Sequence, residues 1–180
     1  MKYRVEKDSL GEKQITAESY YGIQTLRGKE NFEITKRGIS RQMIKALATV
    51  KKAVAAANAT FDFIDEKKAK AIMLSCDEIL NGRLHGQFIT DLIQGGAGAS
   101  MNMNANEVIA NRANEMLGGK KGEYSFVHPI DHVNLSQSTN DVIPTAGKLA
   151  TIKITKKLLV EMKKLMNEYG NLEKKYKNVV

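Results

Sequence analysis

The stretch S-Q-S-T-N-D-V-I-P-T-A, residues 136–146, sets hydroxyl, amide and carboxylate side chains in a row and then turns apolar around a proline. Short hydrogen-bonding residues ahead of an apolar periodicity mark a helix start. With Asp141 as N-cap, Pro144 falls in the first turn, where its missing N–H has no consequence. The unpaired N–H groups and the positive end of the helix dipole then lie beside Ser138, Thr139 and Asn140. Neutral donors beside a partial positive charge suit a carboxylate or phosphate. Plain capping uses the same residues, and both readings stand open at this point.

Downstream, a helical pattern runs from Val142 to about Lys177 and tolerates Gly147 and Gly170. Residues 151–180 hold eight lysines against three acids, and so carry most of the formal net charge of +8. The lysines interleave with Ile152, Leu158, Leu159, Met162, Leu165 and Met166, as on the wet side of an amphipathic helix. No Arg cluster or stacking aromatics accompany them, so nucleic acid is not the expected partner. One helix cannot bury Ile152, Ile154, Leu158, Leu159, Leu165 and Leu172 alone; the pattern predicts pairing with other helices, or disorder after about residue 140. Residues 177–180 carry no stop signal, and the sequence is expected to belong to a longer chain.

Upstream, Ser40 can cap a helix in which Met43, Ile44, Leu47, Val50, Val54 and Ala57 recur at threes and fours. Asp65 caps a second, carried by Ala69, Ile72, Met73, Cys76, Ile79 and Leu80 and ended by Asn81-Gly82. Cys76 sits on that apolar stripe and reads as core rather than nucleophile. A third helix is predicted from Glu107 to Leu117, ended by Gly118-Gly119. The first forty residues read as loops, short strands and a helical turn, with turn signals at Leu10-Gly11, Tyr21-Gly22 and Arg27-Gly28.

Residues 94–106 are rich in glycine and then in asparagine, and glycine lets backbone N–H groups approach a ligand. Asn102, Asn104 and Asn106 alternate, as if an extended stretch turned its amides one way. The stretch matches neither a P-loop nor a dinucleotide fingerprint. Residues 122–138 read as an irregular connection, in which His128 and His132 lack a third ligand, so no metal site is expected. A single cysteine excludes an internal disulfide. With no signal peptide and no apolar run of spanning length, the expected compartment is the cytoplasm, with no membrane partner.

Taken together, D-S-L-G-E (8–12), Y-Y-G-I-Q-T-L-R (20–27), N-M-N-A-N-E-V-I-A-N-R-A (102–113), H-P-I-D-H-V-N (128–134) and S-Q-S-T-N-D (136–141) resemble, in that order, the aspartase and class II fumarase family. I-Q-G-G-A-G (93–98) and S-T-N (138–140) are closer to its aspartases than to its fumarases, which tend to carry S-G-S-G-T and S-S-N. The resemblance implies a mainly α fold. A multihelical N-terminal lyase domain with a few short strands would span residues 1–138, and the first long helix of a central bundle would begin at 139–180. It implies a carbon–nitrogen lyase that removes ammonia from L-aspartate to give fumarate, with malate hydration by a fumarase as the alternative. No cofactor is required, and a divalent metal as activator is left open. The intact protein would be a homotetramer whose active sites each draw on three subunits.

By the same resemblance Ser138 and Thr139 hold the substrate carboxylate and Asn140 approaches the leaving amino group. Two departures matter. Ala99 stands where the family's glycine loop usually offers a substrate-binding Thr, which leaves Ser100 or the loop N–H groups to compensate. His128 and Asp131 match part of a secondary dicarboxylate site of fumarases, but Ile130 replaces the usual Asn. The family's proton-abstracting serine loop would lie beyond Val180. A basic helical binding module is the reading of a different class, and it leaves the ordered motifs unexplained.

Overall fold

A computed structural model describes residues 2–179; Val180, on which the expectation of a longer chain partly rests, lies outside them. The chain opens with a hairpin of β1 (Tyr3–Asp8) and β2 (Gly11–Thr16), paired antiparallel from Tyr3 with Thr16 to Asp8 with Gly11. Helix α1 (Ile23–Asn31) follows. The Arg27-Gly28 turn signal is thus corrected: Gly28 is helical, and a Cβ there would meet the Ser100 side chain at 2.7 Å. Close packing, not a turn, asks for glycine at that position.

Helices α2 (Arg41–Thr60) and α3 (Glu66–Leu80) begin where their caps predict. Ser40 Oγ accepts from Met43 N, and an Asp65 carboxylate oxygen accepts from Lys68 N. Leu47, Ile72, Cys76 and Ile79 are fully buried where the two helices face the rest of the core. Cys76 is a core residue whose thiol burial pushes up to about 12, far from a nucleophile's range.

Helix α4 (Ala99–Met116) starts eight residues before its predicted beginning and is buried on nearly every side. Burial all round removes the amphipathic period that would have revealed it. The asparagines are therefore not in an extended stretch. Asn102 and Asn106, one turn apart, reach Asn134, while Asn104 turns the other way to Ile89 N and Gln87 O. Farther along, Asn111 bonds Tyr20 O and Gly122 N, and Asn114 bonds Val127 O, Phe126 N and Val127 N. Glu107 receives Gly22 N, Gln24 N and Thr25 N, together with the Thr25 hydroxyl.

That last contact explains α1. Gly22 has no side chain to cap it, and the Glu107 carboxylate meets the unpaired N–H groups of the first turn from across the core. The hairpin is fixed by two arginines. Arg27 forks onto the Asp8 carboxylate at 2.7 and 2.8 Å, and Arg4 donates to the carbonyls of Thr16, Ala17, Ser19 and Tyr21.

The connection at 122–138 holds a single π turn, Pro129–Val133, with bonds from Val133 N to His128 O and from Asn134 N to Pro129 O. Helix α5 (Thr139–Lys175) then packs Val142, Ala146 and Ala150 into the core. From Thr151 onward it stands clear, with Ile152, Leu158, Leu165 and Leu172 exposed beside the lysines. Among the described residues no helix is long and apolar enough to cross a membrane.

Removing one α4 amide should test whether those side chains support the loops. Asn114→Ala leaves three backbone groups of 126–127 without partners, so urea unfolding of the chain is expected to show a loss of at least about 2 kcal/mol. The exposed control Lys148→Ala should shift it by less than about 0.5 kcal/mol. Equal shifts for the two variants would refute the role given to Asn114.

Candidate active site

The site is built from the first turns of α4 and α5. Ser136 adopts φ 61°, and the chain reverses there into α5. The cap differs from the sequence expectation. Ser138, not Asp141, is the N-cap: its Oγ accepts from Asn140 N at 3.2 Å, while the Asp141 carboxylate receives Ser138 N at 3.2 and 3.3 Å. The reciprocal pair is a capping box, which satisfies donors on both sides of the helix start. Pro144 consequently lies inside the helix rather than in its first turn, and with no N–H it leaves the Asn140 carbonyl without its helical partner.

Beside this start, the turn Gly96–Gly98 leads into α4 with Ala97 at φ 53° and Gly98 at φ +87°. A Cβ on Gly98 would also lie 3.1 Å from Ile143, so both backbone conformation and close approach require glycine. One turn further on, Asn102 Nδ2 donates to Thr139 Oγ1 at 3.2 Å. Two helix N-termini thus lie side by side, joined by that bond, and the positive ends of their dipoles favour an anion.

Ser138 and Asn140 are exposed and Thr139 is half-buried. Both hydroxyl oxygens already accept from the protein, Ser138 from Asn140 N and Thr139 from Asn102. Each still has its O–H proton, with one further lone pair, to offer outward. Capping and ligand binding, which the sequence left as alternatives, therefore use opposite sides of the same oxygen.

Ser100 stands apart from this trio. It lines a cleft of about 560 Å³ with Gln24, Arg27, Glu30, Ala99 and Met103. Arg27 is a fixed cation there, held by Asp8 and Gly11 O. The motif at 20–27 contained Arg27, but only the fold turns it toward the glycine loop. With Ala99 contributing a methyl, the polar groups of the cleft are Ser100, Arg27, Gln24, Glu30 and Asn31.

His128 and Asp131 pair with each other, Nδ1 to Oδ2 at 3.1 Å, and His128 Nδ1 also faces Ile130 N and Asp131 N. His128 borders a separate cleft of about 280 Å³ shared with Glu6, Asp8 and Glu107, and Asp131 does not line it. Lys7 also lines that cleft, and Glu6 and Asp8 are each paired with an arginine, Arg4 and Arg27. His132 turns Nδ1 to His128 N at 2.8 Å and Nε2 to Lys68 Nζ at 3.3 Å, and burial, then Lys68, holds it below the usual imidazole range.

Sequence reading missed Lys51. It lies on the inner side of α2 with 0% of its surface exposed, and its Nζ donates to Asn134 Oδ1 at 2.9 Å. Burial lowers its pKa to about 7, against smaller raising effects of Cys76 and Asp141. Only its place among the apolar positions of α2 could have drawn attention to it.

The sequence model of the lyase family matches residues 11–180. The chain is 55% identical over 178 residues to an aspartate ammonia-lyase of Bacillus subtilis (strain 168), covering 99% of this chain and 38% of that relative. It is 51% identical over 150 residues to a class II fumarate hydratase of Halobacterium salinarum, covering 83% of this chain and 32% of the relative. Among solved structures, a fumarate lyase:delta crystallin from Brucella melitensis in native form superposes with a TM-score of 0.81 at 53% identity, over 83% of this chain and 34% of that one. The chain therefore spans well under half the length of the proteins it matches.

Lys51 carries a pH signature. Above about pH 7 the folded chain has released the Lys51 proton, whereas the unfolded chain keeps it up to the ordinary lysine value near about 10.4. Between those limits the unfolded state binds more protons, so this group's contribution to stability rises with pH. Lys51→Met should flatten the rise by up to about 1.4 kcal/mol per pH unit, read from urea unfolding at about pH 7.5 and about pH 9.5. Parallel slopes for the two proteins would contradict the buried, proton-releasing lysine.

Proposed function

This chain belongs to the lyase family, and from that premise we propose that it forms the N-terminal part of an aspartate ammonia-lyase, which eliminates ammonia reversibly from L-aspartate to give fumarate. The observation that carries the reading is the state of the two hydroxyls at the tip of α5. Ser138 and Thr139 each accept one hydrogen bond from the protein and keep their O–H protons free, beside two helix N-termini.

In this elimination a base removes the Cβ proton, and the adjacent carboxylate gains a second negative charge as an aci-carboxylate. Donors aimed at its oxygens bind that dianion better than the ground-state carboxylate and so lower the barrier. Ser138 and Thr139 are those donors here. Asn140 approaches the amino group that leaves. Ser100 and Arg27 border the neighbouring cleft, where Ala99 removes the family's usual hydroxyl. The base is contributed from outside these 180 residues.

Residues 1–138 form the N-terminal lyase domain in this reading, and residues 139–180 open a central bundle. The exposed stripe beyond Thr151 supports that division, since Ile152, Leu158, Leu165 and Leu172 need apolar neighbours that the described residues do not supply. A homotetramer acting in the cytoplasm would bring those helices together. Class II fumarase remains the second reading, favoured by the 51% identity to such an enzyme.

Turnover of L-aspartate and L-malate by the full-length protein separates the two readings. Fumarate is expected from aspartate at a kcat/KM at least about tenfold above that from malate, about 1.4 kcal/mol of discrimination; the reverse order would make it a fumarase. Thr139→Val is expected to lower kcat/KM by about 10- to 150-fold, the loss of one hydrogen bond to a charged group. The 180-residue chain alone should produce no fumarate.

A further inference from the structure

The hydrogen bonds behind Thr139 run in one direction, and the direction is set in the core. The Gln137 carbonyl can only accept, so the Asn134 amide turns its amino group to that side and its oxygen to the other. Lys51 Nζ donates to this oxygen at 2.9 Å. At the other end of the same amide, Asn134 Nδ2 donates to the Gln137 carbonyl at 3.1 Å. Asn134 Oδ1 also accepts Asn102 Nδ2 at 3.0 Å and Asn106 Nδ2 at 3.2 Å. Having turned its amino group to Asn134, Asn102 directs the same nitrogen to Thr139 Oγ1 at 3.2 Å. Among the described residues the Thr139 side chain has no other hydrogen bond, so its proton points away from Asn102.

A competing arrangement shows what this orientation achieves. Turning Asn102, Asn106 and Asn134 over together would find donors for Asn102 Oδ1 and Asn106 Oδ1, both now buried without one. It would also break the Lys51 bond to Asn134 Oδ1 and set the Asn134 oxygen against the Gln137 carbonyl. Lys51 and Gln137 therefore hold the network in the orientation that leaves two carbonyl oxygens unpaired. In the turned-over arrangement Asn102 would present an acceptor, and Thr139 would donate inward rather than outward.

We propose that Asn102 is a positioning residue: by donating to Thr139 Oγ1 it fixes that hydroxyl as an outward donor to a ligand carboxylate, with its own orientation held by Asn134 and Lys51. The inference rests on the reading of Thr139 as a ligand contact. It assigns Asn102 no contact with substrate. Its effect is felt only through the Thr139 hydroxyl, a property that a merely structural asparagine would lack.

A double-mutant cycle on the full-length protein tests it, with L-aspartate as substrate and fumarate formation as the readout. Asn102→Asp keeps the shape and reverses the polarity, since a carboxylate accepts the Thr139 proton. It is expected to lower kcat/KM about tenfold or more in the parent. In the Thr139→Val background, where there is no hydroxyl to misdirect, the same change should cost less than about threefold. An equal loss in both backgrounds, or no loss in either, overturns the proposal. Should Asn102→Asp yield no folded protein, Asn102→Ser, which frees the hydroxyl to rotate, goes through the same cycle with the same criterion. If Thr139→Val alone leaves kcat/KM within about twofold of the parent, the ligand role of Thr139 fails, and with it the proposal. A clear loss from Thr139→Val without coupling to Asn102 overturns the positioning role alone.

Discussion

The fold depends on a helix that is polar at its centre. α4 lies inside the protein, and its Glu107 carboxylate and asparagine amides stand where backbone groups of other segments have no partner. Irregular chain cannot be buried unless its N–H and C=O groups are met. Here the first turn of α1, the approach to it at Tyr20, the turn at 87–89 and the connection at 122–127 are all met by one helix. A purely apolar α4 would pack as well and leave those segments unpaired.

The same arrangement makes the site. Because α4 occupies the centre, its first turn is carried against the start of α5, and Asn102 can reach Thr139. A capping box alone would leave Thr139 free to rotate. With Asn102 behind it and Ser138 tied to Asn140 N, two neighbouring hydroxyls keep their protons outward at the positive end of a helix. Beyond Ala150 the same helix exposes an apolar stripe among solvated lysines.

The basic charge acquires a physical explanation in that outer helix. Lysines there accompany exposed Ile152, Leu158, Leu159, Leu165 and Leu172, so the charge solvates a helix that awaits apolar neighbours.

What the sequence by itself determined are the features encoded within a turn or two of chain. The caps Ser40 and Asp65, the stops at Gly82 and Gly118 and the apolar periods of α2 and α3 are local signals, and they sufficed to place those helices. So did the polar run at 138–140, whose helix start was legible although its cap was misassigned, since Ser138 and Asp141 both suit that role and only the reciprocal bonds choose between them. Tertiary structure alone decided the rest. Helix α1 is capped by a carboxylate more than eighty residues away, and the early turns of α4 hide their period because they are buried on every side. Lys51, Asn134 and Arg27 become meaningful only through neighbours distant in the chain. Hydrogen-bond polarity at Thr139 belongs to that second class, because it is set by which groups are packed against Asn134, a property of packing that no local pattern carries.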